Sequence, residues 1–239
     1  MSKIGYADKL LPDQTYFSNL YRGEEPYVQA LFEVTSAFAR DFGSAEFQLI
    51  TPKAIAFEEM STPPSQLALF NAIIKLTGAK SILEIGTFVG HTAMQFVKMA
   101  GENAQVTTIE VGKEFADIAR ENFRRNGYGE RITLLEGSAG AILSTLPKRS
   151  FDMIFVDGSK PDSLDYTLKA EELIADGGVI VVDDVFFHGD ALNDEPSSEK
   201  GMGCKRLLDH YREETRFTKL LLPMSNGILL LFCSQHQAK

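Results

Sequence analysis

From residue 80 onward, short apolar runs alternate with segments whose apolar residues recur at helical spacing. "SILEIG" (81–86), "QVTTIE" (105–110), "RITLLEG" (131–137), "FDMIFVDG" (151–158) and "VIVVDD" (179–184) read as five strands. Helices are predicted between them over 92–100, 113–127, near 140–146 and over 162–178, with a last amphipathic helix at 204–215. Strands separated by helices of this length signal βαβ units and a parallel sheet. The ending differs: "FTKLLLP" and "ILLLFC" flank the turn "MSNG", which predicts an antiparallel hairpin. The polar stretch 193–203 reads as a loop.

The region before residue 60 has another rhythm. Val28, Leu31, Phe32, Val34, Phe38 and Phe42 are spaced as on a helix, and an irregular link follows near 43–54. Turn signals at 61–64 precede a helix with Leu67, Phe70, Ile73 and Ile74 on its apolar face and Gly78 as its stop. The expected organisation is one α/β domain over 1–239. Residues 1–60 form a helical extension bordering the substrate site or a dimer contact, and residues 61–239 form the core.

Composition narrows the partners. A formal charge of −9 argues against nucleic acid or an anionic membrane as the main partner. Cys204 and Cys233 are the only cysteines and form no metal-binding spacing, which excludes a disulfide scaffold and fits a reducing, cytoplasmic setting. No run is long and apolar enough for a membrane span, and the N-terminus lacks the apolar stretch of a secretory signal.

The candidate chemistry lies at strand ends. In "EIGTFVG" (84–90), Gly86 and Gly90 let backbone approach a ligand, but G-x-x-x-G is neither a dinucleotide fingerprint nor a P-loop. Glu110, ending the second strand, is placed to accept ribose hydroxyls, and Glu84 adds a second negative charge. Acidic groups without a phosphate-binding cation favour a nucleoside with positive charge, which S-adenosylmethionine satisfies. Asp157 ends the fourth strand, and Asp183 and Asp184 end the fifth. If those strands are neighbours, three carboxylates converge at one mouth, a donor set suited to Mg²⁺, Ca²⁺ or Mn²⁺. Lys160, three residues after Asp157, is the candidate general base. The plain reading of each residue is different: strand-end aspartates cap turns and most lysines are solvated. His91 reads as a solvated or capping residue at a helix start, and Cys204 and Cys233 as packing residues. Phe186, Phe187 and Tyr166 are candidates for an aromatic acceptor wall.

Taken in order, "MSTPPSQ", "ILEIGTFVGHTA", "TTIEVGKEFADIARENF", "ITLLEGSA", "FDMIFVDGSK", "GGVIVVDDV" and "LLLPMSNGILL" resemble the metal-dependent O-methyltransferases that include caffeoyl-CoA and catechol O-methyltransferases. The resemblance spans about residues 55–233. It implies a Rossmann-like, doubly wound sheet of seven strands, mostly parallel, closed by the C-terminal hairpin. It also implies that Met60, Ser61, Glu84, Gly86, Thr92, Glu110, Ser138, Ala139 and Asp157 bind S-adenosylmethionine. Asp157, Asp183 and Asp184 would hold a divalent ion, with Lys160 as base. One departure stands out, because the third ligand in this family is typically asparagine and here it is Asp184. The implied acceptor is a small hydroxylated aromatic, and the implied assembly is a homodimer. A nicotinamide-dependent oxidoreductase on the same sheet and a non-catalytic S-adenosylmethionine-binding protein are the competing readings.

Overall fold

The structure, a computed structural model, describes residues 37–43, 46–53 and 57–233, together with Val34 and Ile55. Most of the helix expected before Phe42 lies outside these residues. Where that segment is described, Val34 and Phe38 are exposed.

The elements are α1 (Phe57–Met60), α2 (Pro64–Thr77), β1 (Ser81–Ile85), α3 (His91–Ala100), β2 (Gln105–Glu110) and α4 (Lys113–Arg125). They continue as β3 (Ile132–Glu136), α5 (Ala139–Leu143), β4 (Phe151–Val156), α6 (Ser163–Leu173), β5 (Ile174–Val182), α7 (Glu199–Glu213), β6 (Phe217–Leu222) and β7 (Ile228–Cys233). The seven strands form one sheet in the order β3-β2-β1-β4-β5-β7-β6. The pairs among β1 to β5 are parallel, and β7 runs antiparallel to both β5 and β6. This is the doubly wound sheet with a terminal hairpin that the alternation predicts.

Period-2 alternation divides the core between the two faces of the sheet. In β4, Met153 and Phe155 join the cluster built on α2 and α3, while Ile154 and Val156 join the cluster under α6 and α7. In β5, Val179 and Val181 take the first side, and Ile180 and Val182 the second. The first face is anchored by Phe155, whose ring lies 4.9 Å from Phe70 and 5.8 Å from Phe96. All three rings are buried. Burial of this kind contributes on the order of 2 kcal/mol or more per side chain.

Register fixes what happens at the strand ends. Ile85 pairs with Val156, and Val156 with Val182. The next residues are therefore side by side: Gly86, Asp157 and Asp183. Backbone bonds carry the alignment one step further, Asp157 N donating to Ile85 O (2.9 Å) and Asp183 N to Val156 O (3.0 Å).

Two boundaries differ from expectation. The helix read over 162–178 ends at Leu173, and β5 begins at Ile174, paired with Phe151 ahead of a register shift. Gly177 and Gly178 thus lie inside an irregular strand and do not terminate a helix. Gly177 has a left-handed φ of 78°, and a side chain on Gly178 would strike the Asp152 carbonyl. The last helix starts at Glu199, five residues before the predicted start at 204, capped by the Ser198 hydroxyl accepting from Gly201 N at 3.0 Å. The first part of that helix falls within the stretch read as a loop.

Candidate active site at the carboxyl ends of β1, β4 and β5

The turn after β1 is built on a buried carboxylate. Glu110 Oε2 accepts from the Thr87 and Phe88 amides (3.1 and 2.9 Å), and its Oε1 accepts from Gly112 N (2.8 Å). Glu110 therefore stabilises the glycine turn before it meets any ligand, a role that spacing alone does not reveal. A carboxylate has about four acceptor positions, so roughly one remains for an external hydroxyl. Glu84 is deeper, 1% exposed, and its Oε2 accepts from Thr108 Oγ1. Burial pushes the Glu84 carboxyl well above the usual range, against the Thr108 bond that lowers it, and Asp157 and Glu110 push it further upward. Thr87 Oγ1 completes this chain with a bond to Thr108 Oγ1 (2.5 Å).

At the neighbouring strand ends, Lys160 follows β4 in a single 3₁₀ turn. Its Nζ donates to Asp157 Oδ1 at 2.7 Å and lies 3.2 Å from Asp184 Oδ2, with only 11% of the side chain exposed. Asp184 has φ 58°, so the chain leaves β5 in a left-handed turn immediately after Asp183. A continued strand would send the two carboxylates to opposite faces; the turn brings Asp184 to Lys160 while Asp183 stays beside it at the strand end. Asp183 is 7% exposed, with Oδ1 accepting from Asp184 N (2.8 Å) and Oδ2 from Gln66 Nε2 (2.7 Å). Burial, then the charges of Asp157 and Asp184, push Asp183 up to about 7. For Lys160, burial favours the neutral form, but Asp157, Asp184 and Asp183 outweigh it and raise its pKa. The ammonium is the counter-ion of the cluster.

Three carboxylates at adjacent strand ends, two of them paired with one buried cation, are a donor set whose chemistry fits a hard divalent ion. Asp157 and Asp184 flank the ammonium, Asp183 is bonded to Gln66 and the Asp184 amide, and the three do not gather one oxygen each within 4.8 Å of one another. Among the described residues, only Glu171, His210 and Glu214 bring three ligand-type atoms within 4.8 Å of one another. That second cluster already holds a cation, since Arg216 bridges Glu171 Oε2 (2.9 Å) and Glu214 Oε2 (2.6 Å).

The other predicted residues surround the same mouth unevenly. Thr92, buried at the start of α3, bonds through Oγ1 to Thr62 Oγ1 at 2.9 Å, which ties it to the segment carrying Met60 and Ser61. Met60 is exposed and Ser61 half-buried. Ser138 is the exposed residue before α5, and Ala139 is buried in its first turn. His91 is not solvated: it is 5% exposed, with the rings of Phe57 and Phe47 at 5.3 and 5.7 Å. Burial lowers its pKa to about 4, so the ring is neutral. Cys204 is buried, as expected, with Sγ 3.4 Å from Asp184 O, and Cys233 is half-buried.

Four residues with structural influence on the site were not singled out from sequence. Gln66 and Thr62 reach it from α2 and the turn before it, and Thr108 reaches Glu84 from the middle of β2. Asn122, fully buried on α4, donates to Val89 O and Ile50 O and accepts from Ile50 N. It thereby straps the 46–51 segment to the glycine turn. None carries a spacing signal, because each acts across 24 to 117 residues.

Comparison with known proteins agrees with this geometry. Residues 35–233 match the family model described as O-methyltransferase. A protein of Mycobacterium avium (strain 104), named for O-methyltransferase activity, is 29% identical over 178 residues, covering 74% of this chain and 80% of its own. The O-methyltransferase TomG of Streptomyces achromogenes, solved in complex with SAM, is 27% identical with a TM-score of 0.68, covering 73% of this chain and 82% of its own. A SAH-bound methyltransferase of Podospora anserina shares the fold, with a TM-score of 0.71 at 24% identity over 87% of this chain and 95% of its own. No helix among the described residues is long and apolar enough to cross a membrane. With its sheet order, its glycine turn and a family match across nearly all described residues, the chain belongs to the O-methyltransferase family.

Proposed function

We propose that this protein transfers a methyl group from S-adenosylmethionine to a hydroxyl of a small aromatic acceptor, with a divalent ion held by Asp157, Asp183 and Asp184. The observation that carries the reading is the buried Lys160 ammonium set against Asp157 and Asp184 at the ends of β4 and β5. The solved relative with bound SAM supports the cofactor, as does the turn at Gly86 with its acidic neighbours.

In this reading Glu110 offers its remaining acceptor position to a ribose hydroxyl. Met60, Ser61, Glu84, Thr92, Ser138 and Ala139 line the rest of the cofactor site, and Asp157 serves both the cofactor amine and the metal. Bound among the aspartates, a divalent ion would lower the pKa of an acceptor hydroxyl and offset the carboxylate charge that holds Lys160 protonated. Lys160 then takes the acceptor proton, and the oxygen attacks the sulfonium methyl in line. Holding both reactants in one orientation supplies much of the acceleration. Asp184, in place of asparagine, adds a negative charge, so Ca²⁺ and Mn²⁺ join Mg²⁺ as fitting ions. A homodimer contact through the segment before residue 60 and a cytoplasmic location complete the proposal.

The test is methyl transfer from labelled S-adenosylmethionine to catechols, hydroxycinnamoyl esters and flavonoids, with EDTA or with added Mg²⁺, Mn²⁺ or Ca²⁺. Transfer that depends on added metal is expected. Equal transfer in EDTA would overturn the metal reading while leaving the methyltransferase reading standing.

A further inference from the structure

Gln66 is 1% exposed, yet it sits on a helix 117 residues away in sequence from its partner. A buried primary amide is costly unless bonded. Here Nε2 donates to Asp183 Oδ2 at 2.7 Å while the Asp184 amide donates to Asp183 Oδ1 at 2.8 Å. One donor on each oxygen fixes the plane of the carboxylate and leaves its outward lone pairs for a cation. Four residues earlier, Thr62 bonds Thr92 at 2.9 Å. The segment Thr62–Gln66 thus has one anchor on the helix after the glycine turn and one on the carboxylate cluster.

We infer that Gln66 is a positioning residue that aims Asp183 at the metal. The inference rests on the metal reading of the preceding subsection. A neutral amide suits this task because it orients the carboxylate without cancelling its charge. A lysine at 66 would orient it and neutralise it, and an apolar side chain would leave one oxygen free to rotate out of line. Partners that orient metal ligands in this way are typically worth ten- to a hundred-fold in metal affinity.

The experiment is a titration of the purified full chain with Mn²⁺ alone, free ion being read by electron paramagnetic resonance, for the wild type and for Gln66→Met, Gln66→Lys and Thr62→Val. Gln66→Met and Gln66→Lys are expected to bind Mn²⁺ about ten-fold or more weakly. Thr62→Val, which cuts the other anchor of the same segment, is expected to stay within about two-fold of wild type. Circular dichroism in EDTA establishes which variants are folded, and if Gln66→Met is not, Gln66→Leu is titrated in its place. Wild-type Mn²⁺ affinity in a folded Gln66 variant would overturn the inference. An equal loss in Thr62→Val would also overturn it, because the effect would then belong to the segment and not to the amide. No Mn²⁺ binding by the wild type is a separate outcome, which removes the metal reading itself.

Discussion

A Cβ at residue 86 would lie 2.4 Å from the carbonyl oxygen of Asp157. The turn after β1 and the end of β4 are in backbone contact, so the glycine that shapes that turn also sets where Asp157 begins. Gly86 further has φ 100°, a conformation that side chains rarely adopt. Replacing Gly86 with alanine is therefore expected to cost several kcal/mol, on the order of 3, and to lower the melting temperature by roughly 6–12 °C. Differential scanning calorimetry checks this. A melting temperature within a few degrees of wild type would contradict the close approach.

Lys160→Met should separate chemistry from charge. If Lys160 is the general base proposed above, its loss lowers kcat by roughly 10² to 10⁴. Loss of the ammonium also leaves Asp157 and Asp184 uncompensated, at a cost of about 3 kcal/mol or more without metal. Mg²⁺ should then raise the melting temperature of the variant more than that of the wild type, which thermal melts in EDTA and in Mg²⁺ would measure.

Asp184→Asn removes one of the carboxylates facing Lys160 and keeps a residue that tolerates a left-handed φ of 58°. The variant should fold with stability within about 1 kcal/mol of wild type. Its Mn²⁺ and Ca²⁺ affinities should fall by roughly ten-fold, since charge count tunes such sites. Isothermal titration of both ions into both proteins gives the comparison.

His91 predicts an acid limb in the stability curve. Its folded pKa is about 4, below the ordinary 6.5, because burial penalises the charged ring. The unfolded chain binds the proton first, so this contribution is fully present above pH 6.5 and is lost as pH falls from 6.5 toward 4. Each unit is worth about 1.4 kcal/mol, which bounds the effect at a few kcal/mol. In His91→Leu the melting temperature should fall less steeply across that window, as a pH series of thermal melts would register.

The strands were legible because period-2 alternation and buried apolar runs survive in the sequence as a one-dimensional pattern. The position of Asp157, Asp183 and Lys160 at one end of the sheet was legible because the strand ends of such a sheet converge by topology alone. The failures have a common cause in tertiary contact. Gly201 and Gly203 lie in the stretch that reads as a loop, yet they are helical, and side chains there would strike Asp190 and the Lys160 carbonyl, so close packing selects glycine within a helix. Gly177 and Gly178 read as a helix stop, but they bend a strand that has already paired at Ile174. His91 read as solvated because nothing local announces that Phe47 and Phe57 cover it. Gln66 was silent for the same reason.

The register that sets Ile85, Val156 and Val182 side by side has a consequence for how such a protein can change over generations. Inserting or deleting one residue in β1, β4 or β5 would turn every core side chain of that strand toward the opposite layer and displace its terminal carboxylate. Core and chemistry would fail together. The antiparallel strand β7 shares this constraint through its pairing with β5, whereas residues 193–197 belong to no strand or helix, so length variation can accumulate there while the strand ends stay in step.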